Sequence, residues 1–154
     1  MKKNILVPFD GSGSSLAALN LAIDLAAPLK EMVVVLNIQS KIPKEFIEML
    51  LQKKVDDKDV LAYKQQMFEQ NTAPARSILT VSGVAHEFKM RIGVAKDQIC
   101  QEAAEGNYRM IVMGSRGMNP ILGGVLGSVS YGVLNNATCP VTIVPDASLT
   151  SGNL

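Results

Sequence analysis

The sequence is poor in several residue types, and each shortage excludes a class of protein. It contains no tryptophan, only 5% aromatic residues, one histidine and two cysteines among 154 residues. Cys100 and Cys139 lie far apart and lack the spacing of a metal site. We therefore expect both cysteines to be reduced thiols that are buried as small apolar side chains.

A surplus of charge and a long apolar run are also lacking. The net charge is +1, from 15 basic and 14 acidic residues, so the basic surplus that is typical of nucleic-acid binding is absent. No apolar run reaches the 18 residues of a membrane span. Lys2-Lys3 precedes only a short apolar stretch that ends at Asp10, which is unlike a signal peptide. We expect a cytoplasmic protein with neither a nucleic-acid nor a membrane partner.

Aliphatic residues are abundant, and their pattern predicts alternating strands and helices. Apolar residues make up 47% of the chain, which is enough for a sizeable core in a chain of one domain's length. Continuous apolar runs predict four buried strands, and apolar residues at helical spacing predict helices between them. The strands are Asn4–Phe9, Met32–Ile38, Tyr108–Met113 and Val141–Val144, and the helices are Ser14–Ala27, Ala95–Glu105 and Ser128–Asn136. Pro28 should end or bend the first helix.

A further strand is predicted at Val84–Ile92, where apolar and charged residues alternate. A period of two indicates one wet face, and the charges suit a strand at the edge of a sheet. His86 lies on the apolar face of this strand, far along the chain from the glycine-rich stretch described below. We therefore interpret His86 as a structural histidine and not as a catalytic residue.

The secondary structure of residues 41–82 is the hardest to predict from the sequence. Pro43–Gln52 has the pattern of a short amphipathic helix, and the mixed charges of Lys53–Asp59 suit a solvated face or loop. A helical pattern follows from Val60 to Val81 and contains Pro74. Either that helix kinks at Pro74, or Thr72 caps a new helix with the proline in its first turn.

The most informative stretch runs from Val112 to Ser128 and contains five glycines. It leaves a buried strand at Gly114 and enters a helix at Ser128. Glycine allows a ligand to approach the backbone, and a helix start offers unpaired N–H groups and a positive dipole end, so a phosphate is a suitable ligand. The stretch matches neither the dinucleotide-binding fingerprint nor the P-loop motif, because its glycine spacing differs from both and it contains no lysine. The alternative is a loop that only turns the chain.

The spacing of these glycines resembles the nucleotide-binding signature of the universal stress protein family. Gly114 is followed after two residues by Gly117 and after nine more by Gly127-Ser128. The opening I-L-V-P-F-D-G-S and the closing C-P-V-T-I-V-P resemble the first and last strands of that family. The resemblance covers about Lys2 to Pro145. It implies a single-domain doubly wound α/β fold with a five-stranded parallel sheet of order 3-2-1-4-5, homodimers, and bound ATP in members with this glycine spacing.

The resemblance also implies a set of nucleotide-binding residues around the carboxyl edge of the sheet. Asp10 would contact the sugar, with a helix cap as the alternative role, and the backbone of Ile38 would meet the adenine. The apolar face of Pro43–Gln52 would lie near the adenine or would cover the core. The full predicted set is Pro8, Phe9, Asp10, Ile38, Met113, Gly114, Arg116, Gly117, Gly127, Ser128, Val129 and Ser130.

Three functions follow from this interpretation. The first is an ATP-binding regulatory protein of the stress response that acts as a homodimer through Val141–Val144, with an unknown protein partner. The second is a slow ATPase or a phosphoryl-transfer enzyme that uses the same crevice, and the third is a dimeric interaction module without nucleotide. ATP or AMP would be the ligand, alone or with Mg²⁺ or Mn²⁺, and no catalytic or metal-binding residue is predicted. We expect one domain over residues 1–146 and a flexible tail over 147–154.

Overall fold

The computed structural model describes residues 2–116 and 126–145. Over these residues, five strands and five helices follow one another along the chain. In order they are β1 (Asn4–Pro8), α1 (Gly13–Leu29), β2 (Met32–Gln39), α2 (Lys44–Leu51), α3 (Asp57–Ser82), β3 (His86–Ile92), α4 (Ala95–Glu105), β4 (Tyr108–Gly114), α5 (Ser128–Asn136) and β5 (Val141–Val144).

The five strands form one parallel sheet in the order β3-β2-β1-β4-β5. β1 is therefore hydrogen-bonded on both sides, to β2 and to β4, as a strand with a continuous apolar sequence should be. The predicted fold class and strand order are confirmed. All strands share one direction, so their carboxyl ends meet at one edge of the sheet. From β1 the chain runs outward through β2 to β3. It then crosses to the other side of β1, where β4 and β5 lie.

Side chains alternate between the two faces of the sheet and build two apolar layers. Ile5 and Val7 of β1 pack on one face with residues of α1 and α3, whereas Leu6 packs on the other face with residues of α4 and α5. Helices thus cover both faces, which is the arrangement that parallel sheets require. No helix in the described part of the chain combines the length and the apolar character that crossing a bilayer requires.

Two prolines that were predicted to interrupt helices lie inside them. α1 continues one residue beyond Pro28, and α3 continues through Pro74 to Ser82. The prediction that Thr72 caps a new helix is therefore wrong, because the Thr72 hydroxyl instead donates back to the carbonyl of Phe68 at 2.7 Å within α3. Both prolines are exposed, so water can satisfy the carbonyl groups that lose their helical partner.

The charged run before α3 has a defined role at the start of that helix. Asp56 is the N-cap of α3, where its side chain accepts from the amide of Asp59 at 3.0 Å. The Asp59 carboxylate accepts in turn from the amide of Asp56 at 3.0 Å, which completes a capping box. α2 precedes it and buries only Ile47. Most of the apolar face of α2 therefore does not cover the core.

The alternation in β3 predicted that its charged side chains face water, but two of them are hydrogen-bonded to a buried carboxylate. Lys89 and Arg91 donate to the carboxylate of Glu102 on α4, at 2.9 Å and 2.7 Å, and the hydroxyl of Tyr108 donates to it at 2.6 Å. Glu102 is only 4% exposed. Burial raises the pKa of its carboxyl, but the hydrogen bonds from Tyr108, Lys89 and Arg91 outweigh burial and lower the pKa to about 2. β3 is the predicted edge strand, and α4 covers its charged face through this network.

Replacing Glu102 by glutamine should destabilise the fold in a pH-dependent way. The variant keeps the shape but leaves Lys89 without a carboxylate and Arg91 with only the exposed carboxylate of Glu105, and breaking a buried charge pair costs about 3 kcal/mol of unfolding free energy. The folded pKa of Glu102 lies below its unfolded value of about 4.3, so its stabilisation is complete above that pH and is lost as the pH falls toward 2. Urea denaturation of parent and Glu102→Gln should therefore differ most at neutral pH and converge below about pH 4.

The matched control is Glu105→Gln, which removes an exposed carboxylate that also binds Arg91. Exposed ion pairs contribute little to stability, so that variant should lose much less stability than Glu102→Gln. Equal losses for the two variants at pH 7 would contradict the role of Glu102.

Candidate functional site

The ends of β1 and β4 and the start of α5 come together at the carboxyl edge of the sheet. β1 and β4 are paired neighbours, and the amide of Gly127 donates to the carbonyl of Ser115 at 2.8 Å. Ligands of open parallel sheets bind outside this edge, where the connections from the central strands lead to opposite faces. The contact between Gly127 and Ser115 returns the chain to β4 after the glycine-rich stretch, and this defines one crevice.

The β1 side of the crevice is formed by Pro8, Phe9 and Asp10. Pro8 ends the strand, and Phe9 is buried with its amide donating to the carbonyl of Leu36 at 2.9 Å. Asp10 is exposed, and its carboxylate accepts from the amide of Ser12 at 2.9 Å. The side chain of Asp10 is thus fixed locally while the rest of its carboxylate faces the solvent.

The cap of α1 is Ser12 and not Asp10. The hydroxyl of Ser12 accepts from the amide of Ser15 at 3.2 Å, which satisfies one of the unpaired amides of the first turn. The alternative interpretation of Asp10 as a helix cap is therefore wrong.

The β4 side is formed by Met113, Gly114, Ser115 and Arg116. Gly114 lies against the start of α1, where an added Cβ would be 2.1 Å from the hydroxyl oxygen of Ser14 and 2.7 Å from its carbonyl carbon. Any side chain at position 114 would collide with backbone, so the close approach of β4 to α1 requires glycine. The amide of Arg116 also reaches Ser14 Oγ, at 3.4 Å.

The start of α5 supplies the backbone donors of the crevice. The first amide with a partner four residues back is that of Tyr131, which donates to the carbonyl of Gly127 at 2.9 Å. The amides of Ser128, Val129 and Ser130 precede it and therefore have no carbonyl within the helix. Ser128 and Val129 are exposed. The start of α5 thus offers donors that have no helical partner, together with the positive end of the helix dipole.

Gly127 and Ser130 differ in two ways from what the sequence suggested. Gly127 has φ −60°, so it does not need the left-handed conformation, and its amide is already used by Ser115. A Cβ at position 127 would lie 3.1 Å from the Ser115 carbonyl oxygen, so close approach explains this glycine. Ser130 is buried, and its hydroxyl donates to the carbonyl of Gly114 at 2.8 Å. Its side chain therefore connects α5 to β4, and only its amide faces the crevice as a donor.

Two apolar residues flank β1 on the opposite face of the sheet from α1. Ile38 is half-buried at the end of β2, and Met113 is buried near the end of β4. Both pack against the apolar layer of α4 and α5. They lie at the same edge as Asp10 and the start of α5, and they provide apolar surface beside the polar groups of the crevice.

Sequence reasoning missed two residues that build this site. Asn37 is 2% exposed, and its amide nitrogen donates to the carbonyl of Phe9 at 3.0 Å, which holds the residue before Asp10. Ser14 contacts Gly114 and Arg116. The signal for Asn37 was present, because it is the single polar residue in the apolar run Met32–Ile38. Ser14 gave none, since a serine near a helix start is ordinary.

The remaining predicted residues are not part of this crevice or lie outside the described residues. Gly117 lies outside them, as does the predicted tail over 147–154.

His86 is exposed on the edge strand β3 and bonds the carbonyl of Val84 at 2.8 Å. Burial raises the pKa of the thiols of Cys100 and Cys139. Over residues 2–116 and 126–145, no group of three His, Cys, Asp or Glu side chains is placed to hold a metal ion.

The fold defines the class of protein: a doubly wound α/β domain, a class in which ligands bind at the carboxyl edge of the sheet. A model of the universal stress protein family matches residues 1–145. A universal stress protein of Synechocystis is 30% identical over 148 residues, which cover 94% of this chain and 87% of the relative. The chain belongs to the universal stress protein family.

Solved structures share the fold at lower identity. The universal stress protein UspA from Lactobacillus plantarum has a TM-score of 0.74 at 20% identity, with 92% of this chain and 97% of that chain covered. An Arabidopsis thaliana family protein that was solved with AMP bound has a TM-score of 0.66 at 18% identity, with 98% and 97% covered. An Archaeoglobus fulgidus universal stress protein in complex with dAMP has a TM-score of 0.63 at 23% identity, with 92% and 97% covered.

The hydrogen bond between Ser130 and Gly114 should stabilise the site and the fold. Ser130→Ala removes a buried hydroxyl that donates at 2.8 Å, so the free energy of unfolding should fall by about 1–2 kcal/mol. Ser128→Ala is the matched control, because it removes an exposed hydroxyl from the same helix turn and should cost less than about 0.5 kcal/mol. Urea denaturation of the three proteins decides this, and a Ser130→Ala variant as stable as the parent would contradict it.

Proposed function

We propose that this chain is a nucleotide-binding regulatory protein of the stress response that acts in the cytoplasm as a homodimer. The nucleotide is ATP or AMP, and the binding unit is the domain over residues 1–146. Relatives of the same fold that were solved with AMP and with dAMP support the ligand class. Family membership supports the regulatory role.

The observation that carries the proposal is the contact between Gly127 and Ser115. It places the first turn of α5 directly beside the end of β4, with three amides free of helical partners. An oxyanion at this point gains charge-assisted hydrogen bonds from these amides and interacts favourably with the helix dipole. Arg116, which has a cationic side chain, lies just after the end of the same strand. A phosphate is therefore the group that this part of the crevice fits best.

The other parts of the nucleotide fit the other walls of the crevice. Ile38 and Met113 offer apolar surface and backbone groups to an adenine ring, and Asp10 offers a carboxylate to the ribose hydroxyls. Phe9 and Pro8 fix Asp10 at the end of β1. The separation of an apolar wall from a donor-rich wall matches a ligand with a flat base at one end and phosphate at the other.

Binding without rapid turnover is the expected activity. Phosphoryl transfer needs a positioned nucleophile and neutralisation of the developing charge, usually with a metal ion. Among the proposed site residues, Asp10 is the single carboxylate, so no second carboxylate is present to position a nucleophile or a metal ion. Release of many equivalents of ADP or AMP per site per minute would instead favour the enzymatic alternative.

Gly127→Val should abolish ATP binding while the fold and the dimer are retained. A side chain at this position meets the Ser115 carbonyl oxygen at 3.1 Å and the Arg116 Cα at 3.5 Å, so it displaces the start of α5 from β4. Loss of two or three charge-assisted hydrogen bonds weakens affinity by about a hundredfold or more. Calorimetric titration with ATP measures the loss, and circular dichroism checks the fold.

Ser128→Ala is the comparison for this titration, because it removes one hydroxyl and leaves every backbone amide in place. Its ATP affinity should fall far less than that of Gly127→Val. If Gly127→Val binds ATP as tightly as the parent does, phosphate is bound elsewhere and the site assignment fails.

The homodimer is proposed to form through the free edge of β5. Within residues 2–116 and 126–145, β5 pairs with β4 on one side only, and its four residues carry no charge. The carbonyls of Pro140 and Val144 accept from amides of β4, so the N–H and C=O groups of Val141 and Ile143 point the other way. An uncharged edge with free groups is a template for pairing, and a two-fold contact closes it.

Sedimentation should show a dimer of twice 16.5 kDa at micromolar concentration. Val141→Pro removes an outward N–H and keeps an apolar ring, so the dimer dissociation constant should rise at least about tenfold. Thr142→Val is the control, because the backbone groups of Thr142 face β4. A parent protein that sediments only as a monomer would refute this dimer.

A further inference from the structure

A lysine of α4 lies against a glycine of α5. Gly132 is buried in the middle of α5, and an added Cβ there would lie 2.8 Å from the Cδ and 3.2 Å from the Cβ of Lys96. The aliphatic part of Lys96 therefore occupies the space that a side chain at position 132 would need. Lysine commonly packs its methylene groups on apolar surface in this way and keeps its ammonium in water.

The direction of the two helices carries the ammonium toward the crevice. α4 follows β3 and α5 follows β4, so both helices begin at the carboxyl edge of the parallel sheet. Side chains of a helix tilt toward its own N-terminus, so the Lys96 side chain leans toward that edge. Ser128 lies four residues before Gly132, on the same side of α5 and about 6 Å nearer the edge.

The ammonium of Lys96 is also uncommitted within the described residues. It takes part in none of the ion pairs or side-chain hydrogen bonds that those residues form, in contrast to Lys89, which binds Glu102 at 2.9 Å. Lys96 itself is exposed. The ammonium lies two bonds beyond a carbon that touches α5 and has no partner among the described residues, so it is available to an anion at the start of that helix.

We propose that Lys96 is a specificity-determining residue that pairs with the outer phosphates of a bound nucleotide and so favours ATP over AMP. The inference rests on the nucleotide site proposed above. A single phosphate is satisfied by the amides of Ser128, Val129 and Ser130 at the start of α5. The further phosphates of ATP add negative charge beyond the reach of these amides, and a flexible ammonium beside the first turn neutralises it.

Titrations with ATP and with AMP test the proposal by their ratio. Lys96→Met keeps the aliphatic packing on Gly132 and removes the charge, so the dissociation constant for ATP should rise about tenfold while that for AMP changes less than about twofold. Lys96→Arg should retain most of the preference for ATP. Lys30→Met is the control at the opposite edge of the sheet, where α1 ends, and it should change neither constant.

A second variant tests the packing itself. Gly132→Ala places a methyl group against the Lys96 side chain and displaces it, so the preference for ATP should fall while AMP binding persists. An unchanged ratio of ATP to AMP affinity in Lys96→Met overturns this inference alone. A parent protein that binds neither nucleotide overturns the proposed function, and this inference falls with it.

Discussion

The close approach of Gly114 to Ser14 is the constraint on which the rest of the site depends. β4 can pass the start of α1 only because position 114 has no side chain, since any Cβ would collide with the Ser14 backbone. The approach fixes the distance between the end of β4 and the start of α1, next to the pairing of β4 with β1. Ser130 then ties α5 to the same glycine through its carbonyl. Gly114 thus takes part in two contacts of the site, and the contact with Ser14 is the one that requires glycine.

Two contacts at the periphery of the sheet are stabilised by buried carboxylates, in contrast to the crevice. At the β3 edge, a buried carboxylate collects three hydrogen bonds, so the contact between α4 and β3 depends on charge and on pH. At the amino edge, Arg109 holds the buried carboxylate of Glu31 with hydrogen bonds of 2.6–3.0 Å, and these bonds lower its pKa. The crevice itself relies on backbone contacts, which leaves its donors free for a ligand.

The apolar pattern predicted the strands well, because a buried parallel strand has a continuous apolar sequence whichever strands it pairs with. The family resemblance supplied the strand order and the site, which spacing alone did not. The errors fall where a distant residue decides the outcome. Glu102 turns the charges of β3 from a wet face into a covered one, and it lies more than ten residues further along the chain. Exposure decides that Pro74 is tolerated inside α3, and exposure is not visible in the local pattern. The reason for a glycine at position 127 could not be predicted from the sequence either, because the contact with Ser115 requires it and its φ does not.

Ser115 connects the proposed nucleotide site to the proposed dimer edge. Its carbonyl accepts from Gly127 at the start of α5, and its amide donates to the carbonyl of Val144 at the end of β5. One residue therefore takes part in the contacts that position both surfaces. A ligand that holds the start of α5 against β4 also holds Ser115 in the geometry that pairs with β5. Thermodynamic linkage makes any such coupling reciprocal, so a dimer that orders the end of β5 would strengthen nucleotide binding by the same factor by which nucleotide strengthens the dimer.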